Sequence, residues 1–221
     1  MRSVRLLALA CLIAAAAPAH AQDPVPAAEV VSSIEATYRD VAAISASFTQ
    51  TVSSPAFGES VQKGTLEIKR PKMARWEFTE PQQNAVITNG QTLWIWSPAD
   101  NQVIVTEDLS GSGGGASELM VLLTDLSRLD EFFTVETIAG PADQHTLKLT
   151  PKDTALQGQF SQLELALTRA DMLLRRVTFG DSFGQTTRLD FAGVQLRPTI
   201  ADDRFSFQPP AGATVINSGE L

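Results

Sequence analysis

Cysteine and histidine are almost absent from this chain of 221 residues. It has one cysteine, Cys11, and two histidines, His20 and His145. An internal disulfide is therefore excluded, and zinc sites built from several cysteines and histidines are excluded too. The sequence also lacks a Gly-x-Ser-x-Gly elbow and a phosphate-binding loop. It predicts no catalytic residue, no metal and no cofactor, so we expect a protein that is not an enzyme.

Long apolar runs are also missing. The longest, LLALACLIAAAA, is too short to cross a bilayer, and it stands between the basic start MRSVR and the small-residue pattern PAHA. This is the pattern of a secretory signal peptide, with cleavage expected before Gln22. We expect residues 1–21 to be removed and residues 22–221 to form a single domain. Lipid attachment at Cys11 is disfavoured, because apolar sequence continues past it.

Positive charge is scarce as well. The chain has 17 basic and 25 acidic residues, and residues 1–21 hold two arginines and no acid, which leaves 15 basic and 25 acidic residues and a net charge of −10. Such a balance argues against binding to nucleic acid or to anionic lipid. Export without a disulfide framework is typical of the periplasm of a Gram-negative bacterium. We expect a monomer there.

The sequence is rich in apolar periodicity. An apolar residue recurs every three or four positions after Pro26, which predicts an amphipathic helix from Val30, Ile34, Tyr38, Val41 and Ile44. Alternating stretches follow in KGTLEIKR, MARWEF, NAVITNGQTLWIWSP and NQVIVTED. Asn89-Gly90 between two apolar runs predicts a hairpin with a two-residue turn.

A second helical pattern interrupts these strands. The flexible stretch SGSGGG precedes ASELMVLLTDLSRLDEFF, whose apolar stripe predicts one or two helices. Further strands are predicted in HTLKLTP, FSQLELALTR, LLRRVTFGD, QTTRLDFAGVQL and DRFSFQPPAG. The pattern is mainly β with some α. It predicts a single curved antiparallel sheet that forms an incomplete, half-open β-barrel covered by a helical lid.

Several short stretches in this order resemble the outer-membrane lipoprotein carrier family, LolA. They are SFTQTV, GTLEIKRPKMARWEF, EPQQNAVITNGQTLWIWSPADNQV and FSFQPPAGATVI. The resemblance implies a periplasmic chaperone that binds the acyl chains of triacylated lipoproteins. It also implies two partners: an ATP-driven extractor in the inner membrane, and an acceptor in the outer membrane. The implied fold is an incomplete barrel whose apolar hollow is covered by helices.

The resemblance implies a role for one charged residue. Arg70 matches the arginine of the family's Arg-Pro motif, which is implied to bond backbone carbonyls of the lid and keep the empty cavity closed. A guanidinium beside an apolar hollow needs such acceptors, because it has five donors and stays charged. A strand-end arginine in solvent is the alternative interpretation.

Candidate lipid-binding residues follow from the apolar rows. The wall of the hollow is expected to include Leu66, Ile68, Ala74, Trp76 and Phe78, and its cover Leu119, Leu122, Leu123 and Leu126. Ala74 stands where the family commonly has a large apolar residue, so the hollow is wider there or Met73 fills it through a bulge. Trp94 and Trp96 share a face, and alternation leaves open whether they line the cavity or the core.

Other functions are compatible with parts of the pattern. The chain could carry another envelope lipid, or act as a periplasmic lipid-sensing regulator of related fold. A glycan hydrolase that uses paired acids is disfavoured, because Asp130-Glu131 and Asp202-Asp203 have the context of solvent-facing charges.

Overall fold

The computed structural model describes residues 25–107, 125–158 and 160–218. In these ranges helix α1 is Ala27–Tyr38, α2 is Leu129–Phe132 and α3 is Thr154–Gln157, and 3₁₀ turns occupy Leu126–Arg128 and Asp202–Phe205. Helix α1 buries the predicted stripe at Val30, Ile34 and Tyr38. It ends at Tyr38, so the prediction that Val41 and Ile44 continue the helix is wrong. No described helix is both long and apolar enough to span a bilayer.

The described residues form a 12-stranded sheet. The strands are β1 Ala43–Ser54, β2 Gly58–Lys69, β3 Met73–Glu80, β4 Asn84–Thr88, β5 Thr92–Ser97, β6 Gln102–Glu107, β7 Phe133–Ile138, β8 Gln144–Pro151, β9 Gln162–Thr168, β10 Leu174–Gly180, β11 Thr186–Leu196 and β12 Thr214–Asn217.

The sheet is open and curved, which confirms the predicted half-open barrel architecture. Its strand order is β12-β6-β5-β4-β3-β2-β1-β11-β10-β9-β8-β7, so β12 and β7 are the two edges. All neighbours are antiparallel except β12 and β6, which run parallel. The parallel pair arises because the chain crosses from β11 to the far edge between residues 197 and 213 before it forms β12.

The break at Pro71 in IKRPKMARWEF is the turn of a β-hairpin. Strand β2 ends at Lys69, β3 starts at Met73, and the two residues pair with each other. The chain therefore reverses at Pro71, and Arg70 lies in the turn between the two strands. A proline is tolerated in such a turn because it has no N–H to contribute to a ladder.

The described residues form two apolar clusters, which lie on opposite faces of the sheet. We call the face that carries Leu66 and Trp76 the inner face; it packs against α1, Leu126 and Leu129 in the larger cluster. We call the other face the outer face. There the smaller cluster contains Ala43, Ile200 and Phe205, with Met73 packed against it. The segment predicted as a strand in DRFSFQPPAG is instead a 3₁₀ turn followed by irregular chain that crosses the outer face.

Candidate functional site

The inner face is an apolar surface that runs across neighbouring strands. Directly opposite residues share a face, and the pairing places Leu66 beside Trp76, Trp76 beside Val86 and Val86 beside Ile95. A second row joins Ile68 to Ala74. The five predicted wall residues, Leu66, Ile68, Ala74, Trp76 and Phe78, therefore lie together on one face.

Among the described residues, two segments lie over the inner face, and we call them the cover: α1, and residues 125–132. Helix α1 packs against the 3₁₀ turn Leu126–Arg128 and against α2. Leu126, Leu129 and Tyr38 are buried in the same cluster as the inner face. Leu126 thus lies where a cover residue was predicted. The other predicted cover residues, Leu119, Leu122 and Leu123, lie outside the described residues, as does SGSGGG.

A small apolar cavity remains under the cover. Its volume is about 20 Å³, and it is lined by Tyr38, Ile44, Ala46, Leu66, Ile68, Leu174, Phe191 and Val194. This volume holds about one water molecule, so no acyl chain fits in this cavity while the described cover is in place. Entry of a chain requires the cover to move away from the sheet.

Tyr38 anchors the end of α1 over this cavity. Its ring is 1% exposed, and its hydroxyl accepts a hydrogen bond from the Leu174 N–H at 3.1 Å. Burial raises the pKa of Tyr38 to about 12, because the tyrosinate would lose its hydration; the Leu174 N–H opposes this rise.

Arg70 joins both parts of the cover to the β2–β3 turn. Its guanidinium donates to the carbonyl oxygens of Tyr38 and Arg39, each at 3.0 Å, at the carboxyl end of α1. These carbonyls have no partner within the helix, and the negative end of the helix dipole favours a cation there. Arg70 also pairs with the Asp125 carboxylate at 2.7 Å.

Asp125 connects this cluster to the start of the 3₁₀ turn. Its Oδ1 accepts from the Ser127 N–H at 3.2 Å and from the Ser127 hydroxyl at 2.5 Å. One carboxylate therefore caps residues 126–128 and binds Arg70 at the same time. Sequence reasoning missed Asp125, although an aspartate just before a helical stretch is a typical N-cap.

Trp76 leaves a polar group without a partner under the cover. The residue is buried and packs edge-on against Phe48, with ring centroids 5.2 Å apart. Its indole Nε1 has no hydrogen-bond acceptor among the described residues. A buried donor without an acceptor costs about 1–3 kcal/mol, so the closed arrangement is not optimal for this side chain.

The other two tryptophans lie on the outer face. Trp94 pairs with Ile87, and Trp96 pairs with Val103, both on the side opposite Trp76. The Trp96 ring contacts Phe207 of the crossing segment, with centroids 6.1 Å apart. Neither ring lines the inner cavity, which settles the alternative that the sequence left open.

The structure around Ala74 contradicts one of the two expectations, namely that Met73 fills the space beside this small side chain. Ala74 is fully buried on the inner face, and Met73 packs with Ala43 and Phe205 on the outer face. The register around Lys69 and Met73 is regular. Met73 therefore does not fill the space at Ala74 through a bulge.

Comparison with known proteins decides the family. The family model described as Outer membrane lipoprotein carrier protein LolA matches residues 39–208. The chain belongs to the LolA family. The outer-membrane lipoprotein carrier protein of Methylibium petroleiphilum is 30% identical over 94% of this chain and 96% of its own length. That of Hahella chejuensis is 30% identical over 98% of both chains.

A solved structure shares the fold of this LolA family member. An uncharacterized conserved protein from Thermus thermophilus aligns over 86% of this chain and 98% of its own, with a TM-score of 0.53 and 14% identity. At that identity the likeness concerns the fold alone. The family assignment shows a carrier of lipoproteins, and the residues that perform the task are inferred from the geometry described above.

Proposed function

We propose that this LolA family member is a periplasmic chaperone that takes up lipoprotein acyl chains on its inner face and delivers them to an outer-membrane acceptor. Residues 1–21 would be its signal peptide, and residues 22–221 its single domain. An ATP-driven extractor in the inner membrane would supply the cargo. The observation that carries the proposal is an apolar inner face whose cover is fastened by Arg70 at its margin.

The energetics favour a cover that opens for acyl chains. Each buried methylene contributes about 0.8 kcal/mol, so a chain of ordinary length represents on the order of 10 kcal/mol of apolar burial. Opening would break the bonds from Arg70 to Tyr38, Arg39 and Asp125, and would expose apolar surface of α1. These costs offset part of the gain, so the bound chain can still be released.

The inner apolar row also extends beyond the cavity. Ile95 follows Trp76 and Val86 along this row, and it is 38% exposed among the described residues. It could contact a chain without the whole cover having to leave. We assign the row Trp76, Val86 and Ile95 to the path of the acyl chain, together with Leu66, Ile68, Ala74, Phe78 and Leu126.

Two matched substitutions test this path. Ile95→Asp places a charge on the inner row, whereas Val215→Asp places one on the outer face of edge strand β12, where Val215 is 49% exposed. Ile95→Asp should weaken binding of a fluorescent acylated peptide by about tenfold or more. Val215→Asp should leave binding unchanged, and both should keep the wild-type circular dichroism. Equal binding by the two variants would remove the inner row from the proposed path.

A further inference from the structure

Two phenylalanines project from adjacent turns at one end of the sheet. Phe57 is 93% exposed in the β1–β2 turn, and Phe183 is 88% exposed in the β10–β11 turn. The turns are neighbours because β1 pairs with β11, with Ser53 opposite Thr186. A methyl group built on Gly184 would lie 3.4 Å from Pro55 Cγ, in van der Waals contact. We call residues 54–59 and 181–185 the tip patch.

Hydrogen bonds and glycines fix the shape of the tip patch. The Asp181 carboxylate accepts from the backbone N–H groups of Phe183 at 2.8 Å and Gln185 at 2.9 Å. Gly58 and Gly184 take positive φ values of 78° and 82°, a conformation that residues with a side chain rarely adopt. These features fix the backbone of the two turns on which Phe57 and Phe183 are exposed. Exposed apolar side chains that lie together on adjacent turns, in contrast to ones scattered singly, are typical of a contact surface.

The charge around the rings restricts what they can contact. The tip patch contains the carboxylates of Glu59 and Asp181 and no lysine or arginine. The remaining side chains are small or uncharged. Residues 22–221 carry a net charge of −10, with 15 basic and 25 acidic residues. An anionic surface would be repelled, so the patch suits a surface without net negative charge.

We propose that the tip patch inserts Phe57 and Phe183 into the interfacial region of a zwitterionic phospholipid bilayer. Both rings stand on convex turns, and a bilayer interface accepts two such rings together without a matching pocket. A protein partner would instead need two pockets at the fixed spacing of the rings. Bilayer contact would bring a lipoprotein carrier to the membranes it serves. This biological role rests on the proposed function, whereas the insertion itself does not.

Vesicle co-sedimentation of the cargo-free protein tests the insertion. Wild-type protein should bind phosphatidylcholine vesicles, and added phosphatidylglycerol should weaken binding at low salt. Phe57→Ser and Phe183→Ser should each lower partitioning by roughly tenfold. Val215→Ser removes an exposed apolar side chain at the β12 edge and should change nothing. Failure of the wild type to bind, or equal binding by the double serine variant, would overturn the proposal.

Phe57→Trp gives an independent reading of insertion depth. The wild type already has three tryptophans, so the emission of the introduced indole is obtained by subtracting the wild-type spectrum from that of the variant. This emission should shift to shorter wavelength when phosphatidylcholine vesicles are added. No shift would contradict insertion. Concentration-dependent dimers that vanish in the double serine variant would assign the patch to a second copy of the chain instead. Because neither ring belongs to the apolar cluster of the inner face, that variant should still bind soluble acylated peptide, so loss of vesicle binding would leave the carrier function intact.

Discussion

At the scale of the residue, Arg70 connects both described parts of the cover to the β2–β3 turn. It bonds the carboxyl end of α1 and the carboxylate that caps residues 126–128. If these bonds hold the empty protein closed, removing them lowers the cost of opening without removing any apolar wall. Arg70 would then set the balance between holding a chain and releasing it.

Arg70→Leu should take up acylated peptide at least as well as the wild type, with affinity raised by about tenfold, and should fail to hand it over. Arg70→Lys should rescue poorly, because one ammonium cannot match the planar fork of the guanidinium. A two-step assay measures uptake and transfer separately. Arg176→Leu is the matched control, because Arg176 pairs with Asp190 between β10 and β11, outside the cover, and should leave both steps unchanged. Equal loss of both steps in Arg70→Leu would indicate misfolding instead.

Tyr38 gives a prediction about pH, because burial raises its pKa to about 12. The unfolded chain loses the proton near the ordinary pKa of about 10, before the folded chain does. The stabilisation is therefore complete below pH 10 and is lost as pH rises towards 12. This loss is on the order of 2 kcal/mol, and Tyr38→Phe should not show it.

Tyr38 is the only tyrosine in the chain, so its ionisation can be followed directly by tyrosinate absorbance. Urea unfolding of the wild type and of Tyr38→Phe, on both sides of pH 10, measures the difference in stability. An ordinary tyrosine pKa in the folded protein would show that α1 does not bury this ring.

At the scale of the element, the β2–β3 hairpin depends on a close approach at Gly64. A Cβ at Gly64 would lie 1.9 Å from the Glu77 carbonyl oxygen and 2.8 Å from the Phe48 ring. The first of these neighbours is backbone, which cannot move without breaking the ladder. The glycine in GTLEIKR is therefore required by packing between strands.

Gly64→Ala should lower the free energy of unfolding by about 2–4 kcal/mol, because the strands must separate to admit the methyl group. Gly158→Ala is the matched control: no atom lies within 4 Å of its built Cβ, and its effect should stay within about 0.5 kcal/mol. Chemical denaturation of both variants measures the difference. Equal stabilities would contradict the close packing of β2 against β3.

Local patterns predicted most elements, and the errors occur where distant contacts decide the conformation. Asn89-Gly90 does form the predicted hairpin, but the Asn89 carboxamide oxygen accepts from the Gln91 and Thr92 N–H groups, and only Gly90 of the pair has a positive φ. The turn has two residues as predicted but is shifted by one position, because the Asn89 N–H donates to the Thr92 carbonyl oxygen at 3.4 Å and leaves Gly90 and Gln91 as the loop. DRFSF alternates like a strand, yet Phe205 is buried against the outer face by a 3₁₀ turn.

At the scale of the whole molecule, the sequence predicts the curved open sheet but not the strand with which the last strand, β12, pairs. Alternation cannot show that β12 joins β6 in parallel, because that pairing depends on where the crossing segment ends. It also cannot distinguish the two faces of a strand that is covered on both sides, as at Trp94 and Trp96. Arg70 was found through its motif, whereas Asp125, its partner, emerged only from the geometry.

The separation of the tryptophans between the two faces permits a direct test of the central claim, that acyl chains bind on the inner face. Bromine atoms on an acyl chain quench tryptophan fluorescence on contact, and Trp76 lies on the inner face while Trp94 and Trp96 lie on the outer face. The measurement compares quenching by a bromine-labelled acylated peptide in Trp94→Phe/Trp96→Phe and in Trp76→Phe. We predict strong quenching in the first variant and little in the second. Stronger quenching in Trp76→Phe would place the acyl chain on the outer face and contradict the account.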